Sequence, residues 1–188
     1  LVILLFLSLS FGGTVTDIDG FIYYGTFQNS DYYLSENTSS WENANSVCLN
    51  SGGYLVSITS QEENDFVHGL SDIGYWIGLR KIEGEFKWSS GEVLEYTNWD
   101  ENEGQPDGDG DFVQMYAASG TWNDHPGLEI NYILEFKKGC THPNASNYDE
   151  TANVDDGSCC IELWGECYNI EETTELNLMN SGLTGVIP

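Results

Sequence analysis

The residues best placed to do chemistry in this 188-residue sequence lie between Gln105 and Asp124. Gln105-Pro106-Asp107, Asp109, Asp111 and Asn123-Asp124 offer only carboxylate and amide oxygens, the hard donors that calcium takes. Thiolates and paired imidazoles are missing from this stretch, which argues against zinc or copper. Catalysis has weaker support. A glycosidase pair needs one carboxyl with a raised pKa at a fixed separation from the other, and sequence supplies neither. His68, His125 and His142 have no nucleophile beside them in any motif, so no catalytic triad is expected and the chain reads as a non-enzyme.

Alternating Asp107, Asp109 and Asp111 would open an EF-hand loop, but that loop requires Gly where Phe112 stands and a bidentate Glu where Ala118 stands. An EF-hand is therefore excluded. The elements around the cluster are those of an α+β domain. Ser39-Ser40 caps a helix starting at Trp41, with Trp41, Ala44, Val47 and Cys48 at helical spacing. Ser60 with Glu63 forms a capping box for a second helix, whose buried stripe is Phe66, Val67 and Leu70. Strands are expected at 54–58, 75–79, 86–88, 112–116 and 129–136. In the last, Ile130, Tyr132, Leu134 and Phe136 alternate onto one face. Residues 89–111 hold no strand pattern, and so long an irregular connection in a small domain usually has a function.

Charge points to the same stretch. The chain carries 31 acidic against 5 basic residues, a net charge of −26, which excludes nucleic acid as a partner. Between Trp88 and Phe136 there are eleven carboxylates and no Lys or Arg. They either spread over a solvated face or share a metal ion.

Trp76-Ile77-Gly78-Leu79, Gln105-Pro106-Asp107 and Trp122-Asn123-Asp124, in this order behind two helices, resemble the C-type lectin domain over residues 20–138. The resemblance implies a C-type lectin-like fold with small antiparallel sheets and a cis Pro106. It also implies calcium ligation by Gln105, Asp107, Asn123 and Asp124. The same four residues would bind two adjacent sugar hydroxyls, and Gln-Pro-Asp in place of Glu-Pro-Asn implies galactose-type over mannose-type glycans. Gly110 stands where the family has an acidic ligand, so Asp109 or Asp111 must substitute. The stretch Gly108–Asp111 after Asp107 holds no aromatic to stack on a sugar, and Trp99 is the nearest replacement in sequence, though more readily a core residue. Phe112, Gly127 and Leu134 occupy three of the family's four cysteine positions and Cys48 keeps the fourth as a free thiol, a pattern resembling microbial members.

The ends suggest a larger exported protein. Residues 1–13 begin with LVILLFLSLSF, which matches the apolar part of a secretory signal and is too short to span a bilayer. Export favours disulfides over zinc for Cys140, Cys159, Cys160 and Cys167. Residues 139–160 resemble a Cys- and Asp-rich repeat of secreted bacterial surface proteins, which a Cys140–Cys159 disulfide would close. Residues 161–188, with Cys160 and Cys167 around Trp164, fit the cap and first repeat of a leucine-rich array. The expected function is a calcium-dependent carbohydrate-binding module of a secreted or cell-surface adhesive protein. The alternative is a protein-binding or ice-binding domain of the same fold with merely structural calcium.

Overall fold

A computed structural model of the protein describes residues 17–175, so the export segment 1–13 and the leucine-rich pattern at 176–188 lie outside the described residues. The order is β1 (Phe21–Phe27), β2 (Ser30–Ser35), α1 (Trp41–Asn50), β3 (Tyr54–Leu55), α2 (Gln61–His68), β4 (Tyr75–Ile82), β5 (Glu85–Trp88), β6 (Phe112–Met115), β7 (Trp122–His125), β8 (Asn131–Gly139), β9 (Val154–Asp155), β10 (Cys160–Leu163) and β11 (Glu166–Asn169). The main sheet runs β1-β2-β8-β4-β6-β7, with β3 and β9 added on β8 and β5 on β4. This is the expected α+β, C-type lectin-like arrangement. Pairing is antiparallel except between β4 and β8 and between β8 and β9.

Alternation along three central strands divides the core in two. Tyr32 and Leu34 of β2, Tyr75, Ile77 and Leu79 of β4, and Ile133 of β8 point to one side, with Val67 of α2. Tyr33, Trp76, Tyr132 and Leu134 point to the other, against Trp41, Ala44 and Cys48 of α1. The strands are thus sandwiched between α1 on one face and α2 with the long loop on the other. Full burial of a side chain of this size stabilises by roughly 1.5–3 kcal/mol.

Several boundaries differ from expectation for tertiary reasons. The strand expected at 54–58 pairs regularly only at Tyr54–Leu55. Val56 then bridges two neighbours, donating its N–H to Ile133 O (2.9 Å) and accepting from Gly78 N (2.7 Å). A Cβ at Gly78 would collide with the Leu55 carbonyl, so glycine is what lets β4 approach this closely. The last expected strand begins at Asn131 and continues to Gly139, extended by β9. Trp122-Asn123-Asp124 lies on strand β7, paired with β6. Strands β1 and β2 carry no strict alternation and were not anticipated.

Both helix caps form. Ser40 Oγ accepts from Asn43 N, and Ser60 Oγ accepts from Glu63 N at 3.2 Å. The second half of the α2 capping box departs from expectation, because the Glu63 carboxylate binds Thr59 N and Thr59 Oγ1 rather than the cap residue, and also accepts from Tyr32 Oη. Disulfides join Cys140 to Cys159 and Cys160 to Cys167, and Cys48 is a buried free thiol whose pKa is raised by burial.

Candidate calcium and carbohydrate site

The β6–β7 hairpin carries the site, and Trp122 anchors it. The Trp122 side chain is fully buried and donates from Nε1 to Asn64 Oδ1 (2.9 Å), tying β7 to α2. Its backbone pins the start of the long loop: Trp122 N donates to Asn98 O, and Trp122 O accepts from Asp100 N. Asp100 closes its own turn by accepting from Asn102 N and Glu103 N, and its other oxygen accepts from Thr121 Oγ1. The loop thereby brings its C-terminal part, residues 105–110, against Asp124.

Asp124 is buried at 0% exposure. Its carboxylate accepts from Asp107 N (3.0 Å) and Gly108 N (2.9 Å), one oxygen each. Asp107 Oδ1 in turn accepts from Asp109 N (3.0 Å). The result brings carboxylate oxygens of Asp107, Asp109 and Asp124 within 4.8 Å of one another. Gln105 joins them, Nε2 donating to Asp107 Oδ2 and Oε1 accepting from Asp107 N, and the Gln105–Pro106 bond is cis as the resemblance implied. Asn123, on β7 opposite Gln114, is buried at 6% exposure and its side-chain amide makes no hydrogen bond among the described residues. Desolvation first, and then the charges of Asp107 and Asp124, raise the Asp109 carboxyl above its ordinary pKa, partly opposed by His125.

Asp109 and Asp111 do not play equal parts. Asp109 belongs to the three-carboxylate group, whereas Asp111 lies outside it, exposed, its carbonyl accepting from Lys81 N (2.7 Å). Gly110 between them is buried, and a Cβ there would collide with the His125 backbone and Pro126 N, so no acidic side chain has room at that position. The donor set fits calcium: three carboxylates and two amides, all hard oxygens, with lone pairs remaining on each carboxylate after its backbone contacts. Trp99 is not a sugar platform, since its ring packs on Phe86 (4.8 Å) and Trp122 (5.9 Å).

The remaining acidic residues separate from this group. Glu92 pairs with Lys137, so a cation from outside the Trp88–Phe136 stretch reaches into it. Glu135 is 3% exposed in the middle of β8, accepting from Ser30 Oγ (2.7 Å) and Ser57 N (3.0 Å). Burial, followed by the charge of Glu63, pushes its pKa up to about 8. Both acids border a cavity of about 230 Å³ beside Tyr32 and Lys137. By sequence Glu135 is one of the eleven carboxylates between Trp88 and Phe136. Its position between Leu134 and Phe136, in a strand where every second residue is apolar, suited a solvated outer face, whereas it lies on the Ile133 side of β8, where Ser30, Ser57 and Glu63 of α2 gather around it.

A sheet sandwiched by two helices, with a long loop bringing oxygen donors to the tip of a hairpin, defines a lectin-like binding domain. Residues 37–134 match the Lectin C-type domain, and the chain belongs to that family. It is 41% identical over 101 residues to the human low affinity immunoglobulin epsilon Fc receptor, a match covering 52% of this chain and 32% of the receptor. The chain therefore spans about a third of that relative's length. Among solved structures, the cow C-type carbohydrate-recognition domain of CD23, determined in the presence of GlcNAc2Man3 oligosaccharide, is 38% identical with a TM-score of 0.56, covering 66% of this chain and 98% of that one. A calcium-independent type II antifreeze protein (24% identity, TM-score 0.57, 66% and 97% coverage) shares the fold alone. Members of this family are non-enzymatic carbohydrate-binding or receptor proteins.

These mammalian relatives do not support the microbial assignment drawn from the missing cysteines. Packing accommodates Leu134 and Phe112 at two of the three replaced positions. Leu134 and Cys48 share one apolar cluster with Leu55, and Phe112 stacks on Trp41 at 5.2 Å. No helix among the described residues is long and apolar enough to cross a membrane.

Proposed function

We propose that the domain is a calcium-dependent carbohydrate-binding module, with Gln105, Asp107, Asp109, Asn123 and Asp124 holding the ion. The observation that carries this reading is the convergence of Asp107, Asp109 and Asp124 in a family with a glycan-bound relative. A bound calcium supplies a Lewis-acidic centre with coordination positions left for two vicinal hydroxyls. The chain's own part is polar recognition: carboxylate oxygens of Asp107 and Asp109 accept the hydroxyl protons, while the Asn123 amide donates to a hydroxyl lone pair. Only a diol of matching orientation satisfies both, and the Gln-Pro-Asp order favours the galactose type. Two disulfides support a secreted or cell-surface location, because such bonds persist in oxidising compartments.

Calorimetric titration of the folded chain with galactose and with mannose, before and after chelation, tests the reading. Galactose binding that chelator abolishes supports it; absence of chelator-sensitive binding to either sugar rejects it.

A further inference from the structure

Asn123 and Asp124 sit on β7, the last strand of the main sheet, where β6 alone pairs along its length. A ladder on one side leaves the backbone groups of the other edge to find partners elsewhere. Two side-chain amides hold that edge. Asn64 of α2 is 2% exposed, and its Nδ2 donates to Gly120 O (3.2 Å) while its Oδ1 accepts from Trp122 Nε1 (2.9 Å). Asn98, half-buried at the start of the long loop, donates from Nδ2 to the same Gly120 carbonyl (2.9 Å), and its backbone O accepts from Trp122 N (2.7 Å). One carbonyl thus joins a helix and a loop stem that are far apart in the chain.

Two further contacts complete the grip. His68, the last residue of α2, donates from Nε2 to Ala117 O (2.8 Å), and Thr121 Oγ1 donates to Asp100 Oδ2 (2.9 Å). Gly120 must be glycine here, because its φ of +70° lies in the left-handed region and a Cβ would stand 2.8 Å from Cγ of His68. The return side of the β6–β7 hairpin is therefore fixed between Ala117 and Trp122, just before the two site residues. Asp124 follows two positions later, and its carboxylate meets Asp107 N and Gly108 N at 3.0 and 2.9 Å. A displacement of Trp122 relative to α2 is passed on to that contact.

Asn64 suits this task chemically. One amide supplies a donor for the carbonyl and an acceptor for the indole, and both partners are buried groups that are costly to leave unmatched. Its own hydrogen bonds go neither to Asn123 nor to the carboxylates. We propose that Asn64 is a positioning residue, which together with Asn98 holds Asn123 and Asp124 at the depth where residues 105–110 meet them. This rests on the calcium reading above and deepens it: the loop and β7 supply the donors, and α2 sets how closely they converge.

The test uses the full chain and three variants, Asn64→Asp, Asn98→Ala and Ser30→Ala, each checked for folding by circular dichroism. Asn64→Asp keeps the acceptor for Trp122 but turns an acceptor toward Gly120 O. Asn98→Ala is the milder change, since Gly120 O keeps its bond from Asn64. Ser30→Ala removes a buried hydrogen bond to Glu135, away from the hairpin. Without calcium, proteolysis between residues 89 and 111 is expected to speed up about tenfold in Asn64→Asp and about threefold in Asn98→Ala. Calorimetry with calcium alone is expected to show the Kd rising by similar factors. Ser30→Ala leaves both readouts at wild type. Unchanged cleavage and Kd in both asparagine variants overturn the proposal, as do equal changes in all three, which would reduce Asn64 to general stability. If wild type binds no calcium, the calcium reading falls by itself. Faster cleavage confined to the asparagine variants then still supports the positioning role, and unchanged cleavage rejects it.

Discussion

Two groups of carboxylates in this molecule, Glu63 with Glu135 and Asp107 with Asp109 and Asp124, meet opposite surroundings. The glutamates are buried at 7% and 3% exposure, and hydroxyl or backbone donors satisfy their oxygens. In the aspartate group only Asp124 is buried, and its backbone donors belong to the very loop that bears its two exposed partners. Buried acids of the first kind hold elements together and are costly to disturb. The second group concentrates negative charge where the described residues place no lysine or arginine partner, the setting in which the proposed calcium would bind. Count and spacing of acids are thus poor guides to function, whereas their state of hydrogen bonding is a good one.

The sharpest way to break this contrast is truncation. Glu135→Ala, which strands Ser30 Oγ and Ser57 N in the core, is expected to cost about 3 kcal/mol in urea unfolding. Asp107→Ala without calcium should stay within about 0.5 kcal/mol of wild type. Equal losses would erase the distinction. Calcium is the next probe. At a hundred times its Kd it should add about 2.7 kcal/mol to unfolding stability and slow proteolysis between residues 89 and 111. Both effects should vanish in Asp107→Asn combined with Asp124→Asn. If the stabilisation survives that double substitution, the ion binds elsewhere and the contrast is inverted.

Titration separates the groups more gently. Because the folded-state pKa of Glu135 is raised to about 8, the stability it contributes is full below about 4.5 and is lost as pH rises through 8. Wild type should therefore lose roughly 1 kcal/mol from pH 6 to 7 in calcium-free urea melts, and Glu135→Gln should be flat over that range. A falling curve in the glutamine variant would assign the effect to other groups. The smallest effect belongs to Asp109→Asn. Asp109's raised pKa means its charge opposes the calcium-free loop, so the amide should slightly raise the calcium-free melting temperature while weakening calcium binding. A lowered melting temperature would show that Asp109 supports the loop in its own right.

Much of this was legible in the chain. Ser40 and Ser60 announced both helices because caps and apolar spacing are local chemistry. Gln105, Asp107, Asp109 and Asn123-Asp124 stood out because hard oxygen donors with no basic residue among them are rare. Gly110 looked like a missing ligand and is a packing requirement, since the collision it avoids involves His125, fifteen positions away.

By itself, the sequence determined the α+β class, the helix starts, the long acidic loop and the type of ligand its donors would accept. Each of these follows from residues within a few positions of one another, where periodicity, capping and donor chemistry operate. Tertiary structure alone decided which acids stay at the surface and which are sealed in the core. Glu135 and Asp109 are chemically similar, but Ser30, Ser57 and α2 enclose one while the other lies exposed on the loop. Desolvation and hydrogen-bond supply depend on that enclosure, and enclosure is made by strands far apart in the chain.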